Sequence, residues 1–158
     1  MDFKHLNIHN FPELKATTTP EGRRYRVDDM MWPSVTTVIG HSKKKSIMAW
    51  RQRVGEEEAN AISKRASTRG NKCHKLCELY LSNEDISKYK DDVLSMGLFY
   101  QIKPHLDSIN NIHALEAPLS SNLLKLAGRV DCIAEYKGEL AIIDFKTSTK
   151  TKREEWIH

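Results

Sequence analysis

The chain has 158 residues, 29% of them charged and 39% hydrophobic, with a net charge of +4. That length argues for a single domain, residues 1–158, able to bury roughly 70% of its unfolded surface without staples. No apolar run approaches the roughly 20 residues of a membrane span, and three cysteines (Cys73, Cys77 and Cys132) are too few and too odd in number for a disulfide scaffold.

Residues 1–20 read as an irregular lead-in. They carry neither the apolar centre of a secretory signal nor the arginine-rich, acid-poor character of a mitochondrial transit peptide, so a cytoplasmic setting is expected. GRRYRVDDMMW, residues 22–32, reads as a hairpin turning at Asp28-Asp29, with Tyr25, Val27 and Trp32 as strand residues. In PSVTTVIG, Pro33 and Ser34 open a helix and Gly40 closes it. Residues 41–82 are helical, with breaks expected near Ser46, Gly55 and Gly70. The polar NEDISKYKDD leads into a helix over residues 90–109, and a strand follows at His113–Pro118.

LAGRVDCIAEYKGELAIIDFKTS, residues 126–148, reads as a hairpin with Lys137-Gly138 as its turn. The final TKTKREEWIH begins a helix. Helices first and strands after them predict an α/β fold, a central mixed β-sheet flanked by helices. Val130, Cys132, Ala134, Ala141, Ile143 and Phe145 fall on one face of the hairpin, and Ile133, Leu140 and Ile142 on the other. Both faces are therefore expected to be covered.

With that turn, Tyr136 faces Glu139, Ile133 faces Ile142, and Asp131 faces Asp144. Directly opposed Cβ atoms lie roughly 4.5–5.5 Å apart. Two carboxylates there repel unless they share a hard divalent cation. Lys146, two residues past Asp144, projects to the same face. There it could orient or help deprotonate a water beside a phosphate. A D-x-K on a strand also reads as a solvated ion pair; the opposed Asp131 and the apolar neighbours favour a site. Upstream, His74 and Glu78 are four apart on one helix face, which suits His74 as a third ligand with Glu78 as ligand or support, although such a pair alone is more often a surface contact. Cys73 and Cys77 lack zinc-finger spacing and read as core thiols.

These motifs resemble a known family. GRVD…IIDFKTS resembles the PD-(D/E)XK nuclease superfamily in its RecB-like branch, and GNKCHKLCE resembles that branch's G-x-x-x-H-x-x-x-E helix. GRRYRVDDMMWPSVTTVIG and LAGRVDCIAEYKGELAIIDFKTSTK are similar to the exonucleases of mitochondrial genome maintenance and their bacteriophage relatives. The resemblance covers residues 22–150. It implies a restriction-endonuclease-like core and a Mg²⁺- or Mn²⁺-dependent exonuclease, with one or two ions, acting on DNA with free ends, chiefly single strands. A phage or bacterial cytoplasmic setting fits the expected lack of a targeting signal. Residues 21–82 would be the hairpin and helices that receive DNA, and residues 83–158 the catalytic core.

By the same resemblance, Asp131 and Asp144 become metal ligands, His74 a further ligand, the Phe145 carbonyl another, and Lys146 the catalytic lysine. Ser34, Thr36, Thr147 and Ser148 fall at phosphate contacts, although Ser34 reads equally as a helix N-cap. Lys43, Lys44, Lys45, Arg51, Arg53, Lys64, Arg65 and Arg69 could guide a strand, and Trp32 and Trp50 could stack on bases; a solvated face and core tryptophans are the plainer readings. Val130 stands where the family name has proline, and three cysteines make a four-cysteine iron–sulfur cluster unexpected. Relatives continue into a helix that lines the site. Here that helix is expected to be cut short at His158, its missing part lost or supplied by a second chain. A structure-specific endonuclease or a non-catalytic DNA-binding module are the alternatives.

Overall fold

The computed structural model describes residues 2–6 and 10–148; the helix expected after Ser148 lies outside them. Three short strands come first: β1 (Ala16–Thr19), β2 (Gly22–Val27) and β3 (Met30–Pro33) form an antiparallel sheet. The hairpin turns at Asp28-Asp29, between the paired Val27 and Met30. Asp28 takes the positive φ of 52° that such a turn needs and that aspartate tolerates. The lead-in was expected to be irregular, but its threonine run suits a pleated edge, and Ala16 through Thr19 pair with Tyr25 through Gly22.

Ser34 is the N-cap of α1 (Val35–Val54), its hydroxyl accepting the Thr37 N–H at 3.0 Å. The helix runs through Gly40 and Ser46, where a stop and a break were expected. A mid-helix glycine costs only about 1 kcal/mol relative to alanine, and nothing crowds Gly40. Gly55, at φ 92°, ends it by returning its N–H to the Arg51 carbonyl at 2.9 Å. No side chain of α1 is buried.

Helix α2 (Glu56–Leu81) starts with three glutamates that suit its positive end. It passes unbroken through Gly70. Helix α3 (Val93–Leu106), capped by Asp92, is shorter at both ends than residues 90–109. Then β4 (Ile109–Ser121), β5 (Leu126–Tyr136) and β6 (Glu139–Ile143) form a second antiparallel sheet in that order. Strand β4 overruns the expected His113–Pro118 at both ends.

The β5–β6 hairpin has the expected register, Tyr136 opposite Glu139 and Ile133 opposite Ile142. Single parallel bridges, His5 to Ile112 and Ser34 to Ala127, add parallel pairing to the antiparallel sheets. The main core joins α2, α3 and the second sheet through Leu76, Leu81, Phe99, Leu106, Ile112 and Phe145, together with all three cysteines. A smaller cluster of Leu14, Tyr25, Val27, Trp32 and Ala127 ties the first sheet to β5. The second face of the hairpin is open among the described residues: Leu140 and Ile142 are 68% and 72% exposed. No described helix is long and apolar enough to cross a membrane.

Candidate metal centre

Three elements deliver one donor each to a common point. The buried row Cys73, Leu76, Cys77 fixes the rotation of α2 and leaves His74 half-buried beside β5. There its Nδ1 stands 3.5 Å from Asp131 Oδ2. On the other side of β5, the pairs Leu115–Cys132 and Ala117–Val130 put Glu116 opposite Asp131. Potential ligand atoms of His74, Glu116 and Asp131 all lie within 4.8 Å of one another. Two carboxylates and an imidazole form an oxygen- and nitrogen-rich set that fits a hard divalent cation.

Glu116 holds this position at a positive φ of 50°, a strained conformation for glutamate. Arg129 secures it, donating from Nη1 to the Glu116 carbonyl at 2.7 Å. Asp131 is fixed as firmly: its Oδ2 accepts the Phe145 backbone N–H at 2.6 Å. Phe145 is buried, and its ring meets the His74 ring edge-on at 6.0 Å.

The charges are tuned accordingly. Asp131 raises the pKa of His74 against the opposing effect of burial, with a smaller contribution from the Phe145 backbone. Burial would raise the Asp131 carboxyl, but His74 and the Phe145 N–H outweigh it and leave it below the ordinary value. Glu116 goes the other way, raised by burial and then by the negative charges of Asp131 and Glu78. Lys146 also acts on Asp131 and His74, lowering both.

The β5–β6 ladder ends at Cys132–Ile143, one step before Asp131 and Asp144 would meet. Asp131 spends its carboxylate on the Phe145 N–H, and the second strand leaves the ladder there. Asp144 instead holds Lys146, whose Nζ lies 2.5 Å from Oδ2 and 2.6 Å from Oδ1 in an exposed pair. The carboxylate opposite Asp131 is Glu116, from the neighbouring strand β4. Sequence reasoning missed it.

The remaining predicted residues are scattered. Glu78 borders the same cleft, of about 390 Å³, and is paired to Lys75 at 2.8 Å. Ser34 is a buried cap, its Oγ 2.9 Å from Thr36 Oγ1 and 2.8 Å from Thr37 Oγ1. Thr147 lies against Gly70 of α2, and Ser148 is exposed. Lys43, Lys44 and Lys45 are exposed along α1, with Arg53. Arg51 is tied to Glu56 and Asn60, and Arg65 to Glu58. Lys64 is exposed and Arg69 half-buried. Trp50 is half-buried, whereas Trp32 is a core residue with Lys125 over its ring and cannot stack on a base.

No family model matches the chain. It is similar to mitochondrial genome maintenance exonuclease 1 of human, 31% identical over 129 residues, which is 76% of this chain and 38% of the relative. The mouse protein of that name is 30% identical over 128 residues, with the same shares. The Xenopus tropicalis protein is 29% identical over 128 residues, 76% of this chain and 37% of its own. The chain is a relative of these exonucleases. This bears out the resemblance to the exonucleases of mitochondrial genome maintenance. The chain spans less than two fifths of the length of mitochondrial genome maintenance exonuclease 1.

Proposed function

We propose that the chain, residues 1–158 taken as one nuclease domain, is a metal-dependent DNA exonuclease of the PD-(D/E)XK type, preferring single strands with free ends. The observation that carries this reading is the donor set of His74, Glu116 and Asp131, all within 4.8 Å, beside the Asp144–Lys146 pair. The relatives' name, exonuclease, agrees with it.

His74, Asp131 and Glu116 would hold Mg²⁺ or Mn²⁺, with Asp144 and the Phe145 carbonyl adjoining. When bound, such an ion polarises the phosphate and acidifies a water. The protein's own part is to keep these donors in place before substrate arrives. The Phe145 N–H fixes Asp131, Arg129 fixes the backbone of Glu116, and Asp131 orients the imidazole. Lys146, held by Asp144, supplies a positive charge for the phosphate oxygens and a hydrogen-bond donor that orients the attacking water. Glu78 adds negative charge behind His74. Lys43, Lys44, Arg51, Arg69 and Trp50, with the hydroxyls of Thr36, Thr147 and Ser148, would track the strand, whereas Ser34, buried and bonded to Thr36 and Thr37, serves as the helix cap.

The test uses end-labelled linear single strands, linear duplex and circular single strands with Mg²⁺, Mn²⁺ or EDTA. Metal-dependent loss of linear strands is expected, with circles intact and Asp131→Asn and Lys146→Ala both inactive. Cut circles would make the protein an endonuclease, and binding without cleavage under either metal would make it a non-catalytic module.

A further inference from the structure

Strand β2 carries three arginines in GRRYRV, and alternation separates them. Arg24 donates to the Met31 carbonyl at 3.4 Å, and Arg26 pairs with Asp29 at 3.6 Å. Arg23 shares the other face with Tyr25 and Val27, the buried side of the sheet. Arg23 lines the cleft that holds His74, Glu116 and Asp131.

The backbone of Arg23 is pinned. Its N–H donates to Thr37 Oγ1 at 3.0 Å, and its carbonyl accepts from the Thr37 hydroxyl at 3.1 Å and the Ser34 N–H at 2.9 Å. Gly22 allows this approach, since a Cβ there would come within 2.4 Å of Thr37 Cγ2.

The other cations of the cleft are committed. Lys75 holds Glu78 at 2.8 Å, and Arg129 holds the Glu116 carbonyl at 2.7 Å with Glu13 at 3.8 Å. Arg23 makes no ion pair among the described residues, in a cleft lined by three carboxylates. An arginine that lines the same cleft as the acids, exposed and with no ion pair among the described residues, suits an anion entering there.

We propose that Arg23 is a positioning residue that binds a non-bridging oxygen pair of a strand phosphate and sets where the backbone lies against the donor triad. This rests on the nuclease reading. Because only phosphate is recognised, the contact is independent of base sequence.

The test is equilibrium binding of a fluorescent single-stranded oligonucleotide in EDTA, over a range of salt, with Arg23→Ala, Arg23→Lys and Arg24→Ala. Arg24→Ala removes the same charge from the same strand but from its other face. Arg23→Ala should weaken binding about 10-fold or more and lower the slope of log K against log salt by about 0.7. Arg23→Lys should restore the slope but only part of the affinity. Under Mn²⁺, Arg23→Ala should raise KM more than it lowers kcat, and melting curves check that the variants fold. Equal effects of Arg23→Ala and Arg24→Ala overturn the proposal, even if the unmutated chain cleaves DNA. Arg23-dependent binding without cleavage leaves the phosphate contact standing and removes the nuclease reading. An unmutated chain that binds no strand at low salt overturns both.

Discussion

Glu116→Gln separates the cost of the donor set from its use. Donor atoms of Glu116 and Asp131 lie no more than 4.8 Å apart. Two unit charges at about 4.8 Å repel by about 3.5 kcal/mol at an effective dielectric of 20, and by about 0.9 in water. Both residues are half-buried and His74 shares the charge, so about 1–2 kcal/mol is expected to remain. Burial and the neighbouring negative charges raise the Glu116 pKa from the ordinary 4.5, so the folded state favours its protonated form. The penalty is therefore absent below that ordinary value and complete once pH exceeds the raised one. In EDTA at neutral pH, Glu116→Gln should raise Tm by roughly 2–8 °C for a chain of this size. At about pH 4 the gain should vanish. With Mn²⁺ the sign reverses. An ion present at about 100 times its Kd stabilises the fold by about 2.7 kcal/mol, and a variant lacking one of two carboxylates should lose most of that. Thermal melts at both pH values, with EDTA and with MnCl₂, give all four numbers. A lower Tm for the variant in EDTA at neutral pH, or an unchanged Mn²⁺-induced rise, would refute the reasoning.

In metal-free protein the His74 titration, followed by NMR, should have its midpoint above the ordinary 6.5, and Asp131→Asn should bring it down, because Asp131 is the main cause of the rise. The stability that His74 lends is thus full below about 6.5 and lost as pH climbs through the raised value. The glycines give opposite signs: Gly22→Ala, at φ 128° and crowded by Thr37, should destabilise by more than about 1 kcal/mol. Gly40→Ala, mid-helix with open space around it, should stabilise by about 0.5–1 kcal/mol in chemical denaturation.

Local chemistry was legible wherever it decided the structure. The turns at Asp28-Asp29 and Lys137-Gly138, the Ser34 cap and the break at Gly55 all follow from short-range preferences, and the structure has them. Gly40 and Gly70 misled because a glycine only taxes a helix; it stops one where the chain has an alternative. The approach of His74 to Asp131 could be read from the order of the motifs. Glu116 could not. Hairpin arithmetic reaches only β6, whereas Asp131 also has β4 beside it. The β4–β5 register shifts between Asn110 and Ala114, and Asn111 in that stretch has a φ of 44°. Such a bulge is settled by tertiary packing, and no nearby residue announces it.

Helix α1 has one more consequence. It is anchored at its ends, by the buried Ser34 and by the Gly55 junction with α2, and its 20 residues bury no side chain between them. Ile39, Ile47 and Met48 are already 57%, 48% and 52% exposed in the folded protein. Melting this helix alone would uncover little new apolar surface, so neither the heat capacity nor the denaturant slope would register the change strongly. Most helical stability in proteins comes from packing an apolar face, which this helix scarcely does. The protein can therefore lose a long, lysine-bearing element while its core, judged by the usual thermodynamic measures, stays intact.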